Sequence, residues 1–262
     1  MKARHGLAYL LIGAAALVVS VVGFAPVGLA DWTLAQATAG RIRLANASGT
    51  LWQGQGRIVL ADVTSAGGAD AGPVTLAGVV LPGELKWHLK PLPLVLGLID
   101  AELLLDGMSK PLRLSGSFDD LRGSAAGLDL PSVELGRLGS PWNTIRPSAA
   151  IGLRWESFAI RRGLFEGKMT VELRDAASVM CPVRPLGSYR IDVVSNGRDA
   201  DVSLSTLAGP LNLTGKGAWN GRTGLRFTAE ALPDAGERER LQAFLALVGR
   251  RDGDKVILRI GA

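Results

Sequence analysis

From Gly6 to Ala30 the chain carries no charged residue, and Leu7 to Val22 is almost continuously apolar. A bilayer core takes about 20 apolar residues of helix to cross, and this stretch supplies them before Pro26. Lys2 and Arg4, with His5, precede the run, while Asp31 is the first charge after it. Positive residues stay on the cytoplasmic side. The pattern therefore predicts residues 1–5 inside, residues 6–27 as a transmembrane signal anchor, and residues 28–262 on the far side. A cleaved signal peptide is the competing reading, since Gly28-Leu29-Ala30 offers small residues at a cleavage site. The apolar core of such peptides is only about 7–15 residues, which favours the uncleaved anchor. No second segment matches the first, because Leu92–Leu105 is broken by Pro93, Gly97, Asp100 and Glu102.

The remainder reads as many short strands. Leu85, Trp87 and Leu89 alternate with Glu84, Lys86 and His88, and Met169, Val171 and Leu173 alternate with Lys168, Thr170 and Glu172. Such a period of two gives a strand one apolar face. Shorter examples occur at Leu112/Leu114, Val202/Leu204, Leu211/Leu213 and Val256/Leu258. Turn-forming clusters divide them, at Gly67-Gly68, Asp119-Asp120, Ser195-Asn196-Gly197 and Trp219-Asn220-Gly221. The expected fold is mainly β: an antiparallel domain built as a sandwich, roll or open groove. It forms one body or two halves, 31–140 and 150–262. The 34 glycines fit many turns, and 47% apolar residues suffice for a core. One amphipathic helix is expected near the end. It starts about Pro233, places Leu241, Phe244, Leu245 and Val248 on one stripe, and stops at Gly249 before Arg250-Arg251. Asp252-Gly253-Asp254 then turns into a last strand, Val256–Ile260.

Few residues here carry chemistry. The two histidines are His5, in the N-terminal flank, and His88, alone in a strand pattern. One cysteine, Cys181, excludes an intrachain disulfide and a multi-cysteine zinc site. No Gly-x-Ser-x-Gly elbow occurs, and Gly215-Lys216-Gly217 lacks the ending and the helix of a phosphate loop. Asp119-Asp120 and Asp252/Asp254 sit in turn sequences, where aspartate is favoured for local hydrogen-bonding reasons. The net charge of +5 is dispersed among acidic residues, unlike the clustered charge of a nucleic-acid binder. No catalytic, metal or cofactor residue is assigned.

Several segments, in order, resemble the general secretion pathway protein N family of the type II secretion system. They are Phe24-Ala25-Pro26 and Asp31-Trp32 after the anchor, then Gly49-Thr50-Leu51-Trp52-Gln53-Gly54, which is similar to that family's Gly-Thr-hydrophobic-Trp-x-Gly stretch. Pro185-Leu186-Gly187-Ser188-Tyr189, the run from Leu207 to Gly215 and the closing helix and strand follow. The resemblance implies a single-pass protein of the cell inner membrane, its N-terminus cytoplasmic and its bulk periplasmic. It implies no enzymatic activity and no cofactor. The implied partners are other type II secretion proteins, in the inner membrane and at the outer-membrane secretin. Trp52, Gly54, Pro185, Gly187, Tyr189 and Trp219 are then fold or contact positions, with Trp52 and Trp219 expected in the core. The alternative is a periplasmic lipid-binding or lipid-transport module with an apolar β-groove. An apolar surface larger than one core can bury would favour it.

Overall fold

The structure is a computed structural model that describes residues 23, 25–61, 78–134, 136 and 145–261. The expected anchor before Ala25, except Gly23, and the Gly67-Gly68 turn lie outside the described residues. Among those residues no helix is long and apolar enough to cross a membrane.

Short helix α1 (Gly28–Ala37) leads into β1 (Ile42–Gly49), β2 (Gln53–Ala61), β3 (Gly78–Val80) and β4 (Leu85–Leu89). One turn of helix, α2 (Pro91–Val95), precedes β5 (Leu98–Leu105), β6 (Leu112–Ser117), β7 (Asp120–Gly123) and β8 (Ala126–Glu134). Next come β9 (Pro147–Trp155), β10 (Phe158–Arg161), β11 (Leu164–Ser178), β12 (Gly187–Gly197), β13 (Asp199–Ala208), β14 (Leu211–Asn220) and β15 (Gly224–Pro233). A 3-10 turn (Ala235–Glu237), helix α3 (Arg238–Val248) and the hairpin β16 (Arg250–Asp252) and β17 (Lys255–Ile260) close the fold.

Among the described residues, all seventeen strands join one sheet, and every pairing is antiparallel. Each strand lies beside its neighbour in sequence with few exceptions. β3 and β4 both lie along β2, β17 sits between β15 and β16, and β7 pairs with β10 while β8 pairs with β9. β9 and β10 in turn share one side of β11. These pairings carry the sheet without interruption from 31–140 into 150–262. The sheet is open, with β1 at one edge and the short, charged β16 at the other.

The register places the apolar residues on a single face. Met169, Val171 and Leu173 stand opposite Trp155, Leu153 and Ile151 on one side and Val193, Ile191 and Tyr189 on the other. The same face continues through Val202 and Leu204, then through Phe227 and Ala229 to Ile260 and Leu258. The reverse face is polar and laced with cross-strand ion pairs, Arg113–Glu102 at 2.8 Å and Arg190–Glu172 at 2.9 Å among them. One-sided burial of this kind is what a period of two demands.

Burial is uneven along the strands. At one end, here the plugged end, α3 seats Leu241, Phe244 and Leu245 against Leu211, Ala231 and Val256, with Cys181 and Val183 from the β11–β12 connection. A second cluster gathers Leu105, Leu128, Leu130 and Val133 with Leu85 and Ile151. Toward the other end, the open end, the apolar face is only half covered, as at Met169, Ile191, Val193 and Val202.

The terminal helix forms with the stripe the sequence predicts, but it begins at Arg238 and not near Pro233. Pro233 completes β15 opposite Leu211, and the 3-10 turn intervenes. Gly249 is extended, with φ −162°, so the backbone there suits any residue. It is needed because a Cβ would come 2.6 Å from Val256 Cγ1 and 2.7 Å from the Ile257 carbonyl oxygen.

Candidate functional surface

The Gly49–Gly54 stretch is the β1–β2 connection, at the open end. Gly49 adopts φ +102°, a left-handed conformation glycine takes without strain. The Thr50 amide donates to the Gln53 carbonyl at 2.8 Å, and the Gln53 amide donates to Thr50 Oγ1 at 3.2 Å. Trp87, directly across from Gly54 in β4, lays its ring over that glycine, where any Cβ would collide with it. Its indole Nε1 donates to the Thr50 and Leu51 carbonyls, each at 3.2 Å. The Leu51 amide donates to the Ala25 carbonyl at 2.9 Å, and Pro26 bridges Thr50. Ala25 and Pro26 thus join the sheet at this turn.

Pro185, Gly187 and Tyr189 lie at the plugged end. The Leu211 amide donates to the Leu186 carbonyl at 3.1 Å; a Cβ on Gly209 would meet Gly187 Cα, and one on Gly187 would come 2.7 Å from the Ala208 carbonyl oxygen and 2.8 Å from the Tyr189 hydroxyl. Buried Tyr189 donates its hydroxyl to the Leu211 carbonyl at 3.0 Å. Burial, then the neighbouring Cys181, pushes the phenol well above its ordinary pKa. The two runs Pro185–Tyr189 and Leu207–Gly215, separated in sequence, interlock here.

The six expected positions therefore form no common site. Trp52, Gly54 and Trp219 belong to the open end, and Pro185, Gly187 and Tyr189 to the plugged end. Trp52 is half-buried. Trp219 is not the expected core anchor: it is 43% exposed, because β14 ends beyond the reach of α3. Trp87, on which the Gly49–Gly54 turn depends, was visible in sequence only as one member of an alternating strand.

Several polar groups are occupied structurally. Exposed His88 borders a shallow concavity of about 590 Å³ on the polar face, with Lys86 and Glu102, and Glu102 is committed to Arg113. Asp129 accepts from Arg154 and Arg174, each at 2.6 Å. The Arg154 hydrogen bond foremost holds its carboxyl below the usual range. Cys181 is buried. Among the described residues no group of three or more His, Cys, Asp or Glu could hold a metal ion.

A family model for the type II secretion system protein N matches residues 40–258, which is the whole sheet from β1 into β17. The chain belongs to that family. No curated protein and no solved structure gives a significant match. Membership makes this chain a component of the type II secretion system, a family of secretion components and not of known enzymes, whose members work with other proteins of that system.

Proposed function

We propose that this family member is a non-enzymatic assembly component, anchored in the inner membrane ahead of Ala25. Its sheet stands in the periplasm and contacts other secretion components during export of folded proteins. The match over residues 40–258 carries this reading, because it spans the sheet and the interlocked turns rather than one motif. The charge-free run after Lys2 and Arg4 supports the anchor and its orientation. The test is genetic. In a strain lacking the gene, the full chain restores release of folded proteins into the medium. A chain starting at Asp31 behind a cleavable signal accumulates in the periplasm and does not restore release. Unimpaired release from the deletion strain would refute the assembly role.

The half-covered apolar face favours a second reading, a lipid-handling module whose acyl ligand lies along Met169, Ile191 and Val202. Solvent extraction of the purified protein distinguishes the two, since stoichiometric lipid is expected only for the second.

A further inference from the structure

The register puts a particular set of side chains at the open end. The β6–β7, β10–β11, β12–β13 and β14–β15 turns all fall there, together with α2 and the last residue of β17. α2 exposes Leu92, Val95 and Leu96, each 78% or more, and Phe118 at the tip of β6–β7 is 68% exposed. Leu164, Phe165, Trp219 and Ile260 continue this apolar margin. Three successive hairpin tips also carry Arg162, Arg198 and Arg222, exposed and without an ion pair among the described residues. Two strand spacings separate each tip from the next, roughly 10 Å. Among the acidic groups nearby, Asp100 pairs with Lys90 and Asp120 with Arg122 and Arg161; Asp199 is hydrogen-bonded to the neutral Asn220 amide, so Asp119, Asp199 and Asp201 offset the arginines in part, while Arg226 and Arg259 add exposed positive charge close by.

A margin of exposed Leu, Phe and Trp interleaved with arginines matches an anionic bilayer surface, where apolar side chains enter the acyl boundary and guanidinium groups meet phosphates. The position of the chain entry selects this occupant over another protein. Ala25 and Pro26 join the fold at the β1–β2 turn of the same end, and the charge-free apolar run is attached directly before them. We infer that the open end of the sheet is a membrane-seating rim, with α2, Phe118 and Leu164 entering the outer boundary of an anionic leaflet and Arg162, Arg198 and Arg222 contacting its headgroup phosphates. This inference rests on the anchored reading above and adds a second, peripheral attachment that fixes the sheet upright on the bilayer. The apolar face then opens toward the membrane.

The test places an environment-sensitive fluorophore on single engineered cysteines in the full chain, reconstituted into vesicles of phosphatidylethanolamine and phosphatidylglycerol. Leu96→Cys, Phe118→Cys and Leu164→Cys report the rim. Leu207→Cys at the plugged end and Lys168→Cys on the polar face are controls, and the unaltered chain gives the background from buried Cys181. Spin-labelled lipids should quench the rim probes about threefold more than the controls, as interfacial insertion requires. Reversing Arg162, Arg198 and Arg222 to Glu should remove most of that difference. Rim probes open to aqueous iodide, while the chain still floats with the vesicles, would overturn the rim and leave the anchor standing. Probes shielded from both quenchers would overturn it in favour of a protein partner or a second copy. A chain that does not float with vesicles would overturn rim and anchor together.

Discussion

The aromatic residues are few, and several are spent on glycines. Trp87 lies directly across from Gly54, Phe158 from Gly123, Phe165 from Gly197 and Phe227 from Gly217. At Gly54, Gly123 and Gly217 an added Cβ would meet the facing ring. A ring over a cross-strand glycine fills the space the missing side chain leaves and pins the register, so the abundance of glycine and the scarcity of aromatics are one design. Gly54→Val should destabilise the folded state by about 1–3 kcal/mol through overpacking, measured by urea denaturation of the detergent-solubilised chain. Gly236→Ala, which meets nothing within 4 Å, should change the midpoint little. Trp87→Ala should cost about 3–5 kcal/mol and release the Gly49–Gly54 turn to protease. Sequence reading marked Gly54 but gave no reason for it, because the partner ring arrives from a strand that is distant in sequence.

At the scale of elements, the edge strand β1 is guarded by α1. Asp31 accepts from Arg43 Nη2 at 2.6 Å and from the Leu44 amide at 2.8 Å, so a backbone donor on the open edge is already used. An occupied edge resists pairing with stray chains. The Arg43 hydrogen bond, foremost, holds the Asp31 carboxyl below its ordinary pKa. A carboxylate with a lowered folded-state pKa adds stability that is present above the unfolded value, about pH 4, and is lost as pH falls through the folded value. α1 should therefore loosen from β1 below about pH 4. Asp31→Asn should be looser at neutral pH and lack that transition, as hydrogen exchange of the Leu44 amide would report. At the plugged end, Leu241 on the inner stripe of α3 is fully buried, and Leu241→Ala should cost about 2–5 kcal/mol in the same denaturation assay. The stripe holding Leu241 was legible from helical spacing, but the start of α3 was not. Pro233 can open a helix or end an edge of strand pairing, and its register with Leu211 decides the matter.

For the whole molecule, alternation told which residues share a face, so one-sided antiparallel strands were legible at Leu85–Leu89 and Met169–Leu173, while the choice of an open sheet over a sandwich or roll was not. It did not tell how far that face is covered. α2, Phe118, Leu164 and Trp219 lie far apart in sequence and meet at one end only because successive hairpins stack their turns there. The same stacking brings Ala25 to that end, which on the anchored reading proposed above gives the open sheet a direction relative to the membrane. On the function proposed above, this sheet works as an anchored part of the secretion apparatus. The most direct measurement introduces a photo-crosslinking residue at exposed positions of β1, β16 and the polar face in the full chain, in living cells, and identifies what it captures by mass spectrometry. Other type II secretion proteins are expected, captured from the folded sheet and lost when residues 1–24 are replaced by a cleavable signal. Capture of lipid-transport proteins alone, with no secretion component from any position, would contradict that function.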